Sequence, residues 1–307
     1  MTNHHPGSRD AEGPCVFEQR CERLGRTVRP IDARMPELAR CLTLFQYVQA
    51  VTGGPVARID QAGSYAVPSL RGEAFTVRPG SIALRIDGDA LVSAATVRDE
   101  RTGSVALQLF GADGRIVHQG RLLSEGDRLL VGLARAADAG RPSAGPPPVT
   151  GSPSWENGDQ LAQLDAVLVD GGIARRGAFD RYLGEHRPID VGVVPAVLEH
   201  VCSAGLPIGV AVFAPGAMQA CGGRVHVTDQ TVDRRVFAAI AESSVEIDLR
   251  AVRACHLVRS AAAHGPTSAI ELDDGDGRCV AVITQFGIVG EGVHTDWEHL
   301  AASLPDA

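Results

Sequence analysis

Lysine is absent from this chain: all 29 basic side chains are Arg, set against 37 acidic ones for a formal charge of −8. A net-negative chain with no dense Arg cluster lacks the basic face that phosphate neutralisation needs, which excludes a general nucleic-acid partner. The seven cysteines (15, 21, 41, 202, 221, 255, 279) form no CxxC pair and no metal-type spacing, so they are expected as reduced, mostly buried thiols. The longest uncharged stretch, Val201 to Met218, is interrupted by Pro207 and Pro215. It reads as a turn plus a buried strand, not a membrane span. Met1 to Pro14 is polar without an apolar core, so a cytoplasmic protein with no secretory leader is expected. There is no GxGxxG opening a helix, no GxSxG elbow, no P-loop and no HExxH. "DDGDG", Asp273 to Gly277, lacks both the spacing and the final Glu of an EF-hand.

At 307 residues the chain can hold two domains with cores of their own. Residues 1–30 are polar, with scattered Gly and Pro, and are expected as a loosely ordered arm. A helix is predicted over "MPELARCLTLFQYVQAV". Short alternating runs such as "SIALRI" and "SVALQLF" then predict strands, so that 31–136 forms a first sheet unit. Residues 137–158, rich in Pro, Gly and Ser, read as a linker. The remainder, 159–307, holds a helical stretch "DQLAQLDAVLVDGGIARRGAFDRYLG", a second helix "VGVVPAVLEHV", a second run of strands and a closing helix capped by Asp296.

The two strand runs echo each other. "LFGADGRIVHQG" from Leu109 matches "LDDGDGRCVAVI" from Leu272, placing Asp113 on Asp276, Gly114 on Gly277, Arg115 on Arg278 and Val117 on Val280. Upstream, after a two-residue difference in loop length, Ile86, Asp87, Ala90, Val97 and Arg98 fall on Ile247, Asp248, Ala251, Val258 and Arg259. Such an echo predicts an α+β fold made of two pseudo-symmetric repeats of a curved antiparallel β-sheet with flanking helices, and a ligand cleft between the halves.

These same segments, with "LDAVLVDGGIARRGAF", "PIGVAVFAPGAMQACGGRV", "SAIELDDGDGRCVAVITQFG" and "DWEHLAASLP", resemble the cytoplasmic haem-utilisation proteins of the HemS/HmuS/ChuS type. They do so in order over roughly residues 35–305. The resemblance implies haem as cofactor, bound between the halves by an axial His on the first helix after the linker, with Arg and Tyr around the porphyrin. At the axial position this chain has Ala162, followed by Gln163. Arg85 and Arg175 match two Arg positions of the family, whereas Phe286 and Val289 stand where the family has Tyr and Arg, and Cys221 where it has His. Haem iron needs a His, Cys, Tyr or Met ligand, so Cys221, His186 and Tyr182 are the candidate replacements, with Cys221 the tentative axial ligand. His226 and His256 read as surface or core residues and His118 as structural. Three readings stay open: a diverged protein that binds haemin or a related tetrapyrrole for transfer or degradation, the fold turned to an enzyme on another small anionic or aromatic substrate, or a scaffold that has lost its site.

Overall fold

The computed structural model describes residues 24–31, 38, 41–73, 75–77, 80–128, 154–155, 159–176, 186–262, 265–285 and 291–307. In the first part the strands are β1 (Arg26–Ile31), β2 (Val48–Gly53), β3 (Ala57–Tyr65), β4 (Ser69–Leu70), β5 (Phe75–Thr76), β6 (Ser81–Ile86), β7 (Leu91–Asp99), β8 (Val105–Gly111) and β9 (Ile116–Leu122). Then come β10 (Ser154–Trp155), helix α1 (Asp159–Asp170), helix α2 (Ile173–Arg176), β11 (His186–Pro188) and helix α3 (Val193–Ala204). The chain continues through β12 (Pro207–Ala214), β13 (Ala217–Gln230), β14 (Arg235–Ile240), β15 (Ser243–Asp248), β16 (Ala254–Ala262), β17 (Gly265–Asp273) and β18 (Cys279–Thr284), and closes with helix α4 (Glu291–Ala302).

Most of these strands form one mostly antiparallel sheet, in the order β1-β7-β8-β9-β2-β3-β15-β14-β13-β12-β18-β17-β16-β11. The α+β class therefore holds. The two parts also exchange strands: β6 pairs antiparallel with β13, and β15 pairs antiparallel with β3. The echoed turns share their build. Gly111 N–H donates to the Arg115 carbonyl as Asp274 N–H does to Arg278, and Gly114 and Gly277 sit at φ 72° and 76°, a left-handed backbone that favours Gly. In each, the strand register shifts at the same place, after Leu109 and after Leu272.

Three apolar clusters form the core. One joins α3 and Trp297 of α4 to the second strand set and β3, one lies mainly within the first set and reaches Ala217 of β13, and the third lies beneath α1. Across the joint between the strand sets runs a buried polar chain. Gln61 Nε2 donates to the Ser81 carbonyl at 2.9 Å, which leaves its Oε1 to accept from Gln219 Nε2 at 3.5 Å. Gln219 Oε1 then accepts from Thr52 Oγ1 (2.8 Å), Thr52 Oγ1 meets His118 Nδ1 (2.7 Å), and His118 Nε2 meets Tyr65 Oη (2.7 Å). Because a carbonyl only accepts, every donor down the chain is fixed, and His118 carries its proton on Nδ1.

Several sequence expectations are corrected. Helix over 35–51 is wrong at its C-terminal end: Val48–Gly53 is a strand with alternating burial, hydrogen-bonded to β3 on one side and β9 on the other. Two partners outweigh a local helical pattern. The arm expected to residue 30 contains β1, paired with β7. The helical stretch from Asp159 breaks at Gly171 and Gly172, both at positive φ. Asp296 caps nothing, since α4 starts five residues earlier at Glu291. Of the linker, only Ser154–Trp155 lies among the described side of the chain, paired with Phe75–Thr76.

Candidate functional site

Helix α1 carries the position where the resemblance implies an iron ligand. Leu164, Val167 and Leu168 follow helical spacing and pack on Ala211, Phe213, Met218 and Val282 of the sheet. Ala162 faces away and is exposed, in helical register with Val169, and Ile173 at the start of α2 is exposed too, the last two each 43%. Polar contacts fasten the buried side. Gln163 Nε2 donates to Glu271 Oε1 at 2.6 Å, and Ser260 Oγ donates to Gln163 Oε1 at 2.7 Å. On α2, Arg176 pairs with Asp273, which also faces His256 Nε2 at 3.3 Å.

At the edge of α1 lies the best-built polar site. Arg85 points from β6 to the α1 face of the sheet and is completely buried. Its Nε and Nη2 donate to the two oxygens of Asp165 at 2.6 and 2.9 Å, and its Nη1 donates to Ser69 Oγ (2.7 Å) and the Glu73 carbonyl (2.9 Å). Gly72 N–H gives Asp165 a third donor at 3.2 Å, and the guanidinium carbon stands 5.7 Å from the Phe75 ring centroid. A two-pronged guanidinium, a backbone N–H and an aromatic neighbour surround one carboxylate. That carboxylate is the chain's own.

Placement of the other candidates varies. Cys221 does not face α1. On β13 it alternates with Ala220, so it enters the α3 cluster while Ala220 and Met218 lie under α1. Burial pushes its thiol up to about 12, despite hydrogen bonds with Ser243 and the Val210 backbone. The structure thus places Cys221 on the α3 side of the sheet, away from the helix to which the resemblance assigns the axial ligand. His118 is buried with both nitrogens bonded, and burial lowers it to about 3. His186 is exposed on β11 opposite Val258. Arg175 lies on α2, and its side chain, like all of Tyr182, Phe286 and Val289, falls outside the described residues.

Sequence reasoning missed Asp165 and Gln163 as partners. One signal existed for the first: Arg85 is the single charge in the apolar run "SIALRI", and a charge in a strand buried on both faces demands a carboxylate. Gln163 and the Thr52–Gln219 contact bring together residues over 90 positions apart, which no local pattern encodes.

No protein-family profile and no curated protein matches the chain. Solved structures do. The apo form of PhuS, a heme-binding protein from Pseudomonas aeruginosa, is similar at TM-score 0.69 and 22% identity, over 94% of this chain and 90% of that one. Its holo form gives TM-score 0.68 at 18% identity over the same shares. ChuS, a heme degrading enzyme of Escherichia coli O157:H7, gives 0.66 at 15% identity over 90% of this chain and 86% of that one. The chain has the PhuS and ChuS fold. Among the described residues no helix is long and apolar enough to cross a membrane.

Proposed function

We propose that the protein binds a carboxylate-bearing tetrapyrrole, haemin or a relative, for transfer or degradation, and holds it by its carboxylates and ring rather than by its iron. The observation that carries this reading is the Arg85 receptor at the edge of α1, where a buried guanidinium, Gly72 N–H and Phe75 are already arranged around a carboxylate. One turn to either side of Asp165 on α1 stand the exposed Ala162 and Val169, apolar surface on which a flat ring can lie. Arg175, Tyr182 and His186 are the further ligand-contacting candidates in this reading.

Tested against haem, the residues fit in part. The carboxylate half has its partner in Arg85. The iron half does not: α1 offers Ala162, Cys221 is buried in the cluster on the α3 side, and His118 has both nitrogens engaged. No step is therefore routed through the iron. The matched turns, matched register shifts and reciprocal strand exchange support reading the two strand sets as duplicated halves with the ligand between them.

The test is parallel titration with haemin and iron-free protoporphyrin, read by absorption and fluorescence. Comparable saturable affinities, within about threefold of each other, are expected when iron adds no ligand bond, since tenfold is about 1.4 kcal/mol. Haemin binding more than about thirtyfold tighter, with a ligand-bound Soret band, would restore an iron ligand. Failure of both to saturate would remove the tetrapyrrole and favour the second reading, an enzyme on another small anionic or aromatic substrate. That alternative has its own support in Ala162, which supplies no iron ligand from α1.

A further inference from the structure

Asp165 is positioned as a competitor for the receptor just described. Ligand-like geometry surrounds its carboxylate: two donors from Arg85, one from Gly72 and no basic residue of its own helix. Access is unequal within the pair. The Arg85 side chain is 0% exposed and the Asp165 side chain 19%, so the guanidinium is fixed in the sheet while the carboxylate stands at the rim, where an incoming group can replace it. The fixing of Arg85 does not depend on Asp165, because Ser69 Oγ and the Glu73 carbonyl hold its Nη1 from the β4 side. Glu73 is itself tied down, its carboxylate accepting from Leu70 N–H at 3.0 Å. Removing Asp165 therefore leaves a formed cavity with a buried, hydrogen-bonded cation at its floor.

We infer that Asp165 is an internal carboxylate that occupies the Arg85 site until a ligand carboxylate displaces it, so that ligand entry and release of the α1 edge from β6 are one event. This rests on the reading of Arg85 as a ligand-binding residue, and it adds the gating group and the exchange. Carboxylate replaces carboxylate with no change in the number of buried charges, which is why the exchange escapes the penalty of stranding Arg85. The affinity of wild type for a carboxylate ligand is that of the open site multiplied by the fraction of molecules in which Asp165 has left it.

Asp165→Ala tests this without any tetrapyrrole. Acetate is the probe, titrated to about 0.2 M against chloride at equal ionic strength, with thermal midpoints read by circular dichroism. The expected result is a saturable acetate-specific rise of about 2–4 °C in Asp165→Ala, absent from wild type and from Arg85→Met/Asp165→Ala. If Asp165→Ala does not fold alone, refolding from urea in acetate is expected to recover native signal that chloride does not. An Asp165→Ala protein indifferent to acetate in both formats overturns the inference. An acetate response without binding of haemin or protoporphyrin keeps the internal carboxylate and discards the tetrapyrrole.

Discussion

Removing Asp165 should cost more stability than removing its partner Arg85, and the reason lies in what each substitution leaves behind. Asp165→Ala strands a guanidinium with no exposed surface, keeping its bonds to Ser69 and Glu73 but losing both charge-assisted ones. Stranding one member of a buried pair costs about 3–5 kcal/mol. Arg85→Met strands a carboxylate that keeps Gly72 N–H and is 19% exposed, so water can rehydrate it and about 2–3 kcal/mol is expected. The double substitution leaves no charge behind. Its cost should fall well short of the sum, by a coupling of about 2–3 kcal/mol. Urea unfolding of the four proteins, followed by circular dichroism at constant m, measures the cycle. A cost for Arg85→Met exceeding that for Asp165→Ala, or additivity within about 0.5 kcal/mol, would refute the assignment of a buried cation with a rim carboxylate.

Further outcomes follow from other parts of the fold. A Cβ at Gly120 would lie 2.4 Å from Tyr65 Oη, so Gly120→Ala should push the ring off His118 and lower stability by about 2–4 kcal/mol; the loss should shrink in a Tyr65→Phe background, measured by denaturation. His118 is held neutral, lowered from 6.5 to about 3 by burial. The unfolded chain then binds the extra proton between those values, so this contribution is complete above pH 6.5 and is lost as pH falls toward 3. From 6.5 to pH 5 the loss is on the order of 1–2 kcal/mol, and His118→Gln should flatten that part of the stability–pH curve. Burial has pushed Cys221 up to about 12, so in native protein at neutral pH a thiol reagent should label exposed Cys41 well before Cys221, as peptide mass spectrometry would show; equal labelling would place Cys221 at a surface after all.

The legible parts of the fold were those with a local signature. The paired turns at Gly114 and Gly277 were readable because positive φ requires particular residues, and α3 because Val194, Val197, Leu198 and Val201 recur at helical spacing. Val48–Gly53 misled because its apolar residues suit a helix as well as a strand, and the decision rests with β3 and β9. In the site, Arg85 was visible as a charge in an apolar strand, but its partner was not, since Asp165 lies 80 positions away. Cys221 failed for a simpler reason: strand alternation gives two faces without saying which one packs on α1.

That ambiguity of faces also explains why a costly polar chain runs through the joint. Arg85 stands opposite Met218 and Leu84 opposite Gln219 in the β6–β13 pairing. A slip of one residue would turn Arg85 into the apolar cluster that holds Ile82, Leu84 and Ile86, and would carry those side chains to α1 in its place. Small apolar residues such as Ala83, Ala217 and Ala220 on both strands discriminate weakly against such a slip. Gln219 fixes the placement of β13 itself: its amide meets Thr52 of β2 and Gln61 of β3, and a shift of β13 against them would bury it without those partners, at about 1–3 kcal/mol per unsatisfied group. His118 and Tyr65 complete the chain on the first strand set and so hold Thr52 in place. The buried polar line thus fixes β13 against β2 and β3 and reaches β6 through Gln61 Nε2 on the Ser81 carbonyl, the strand from which Arg85 meets Asp165 on the α1 side.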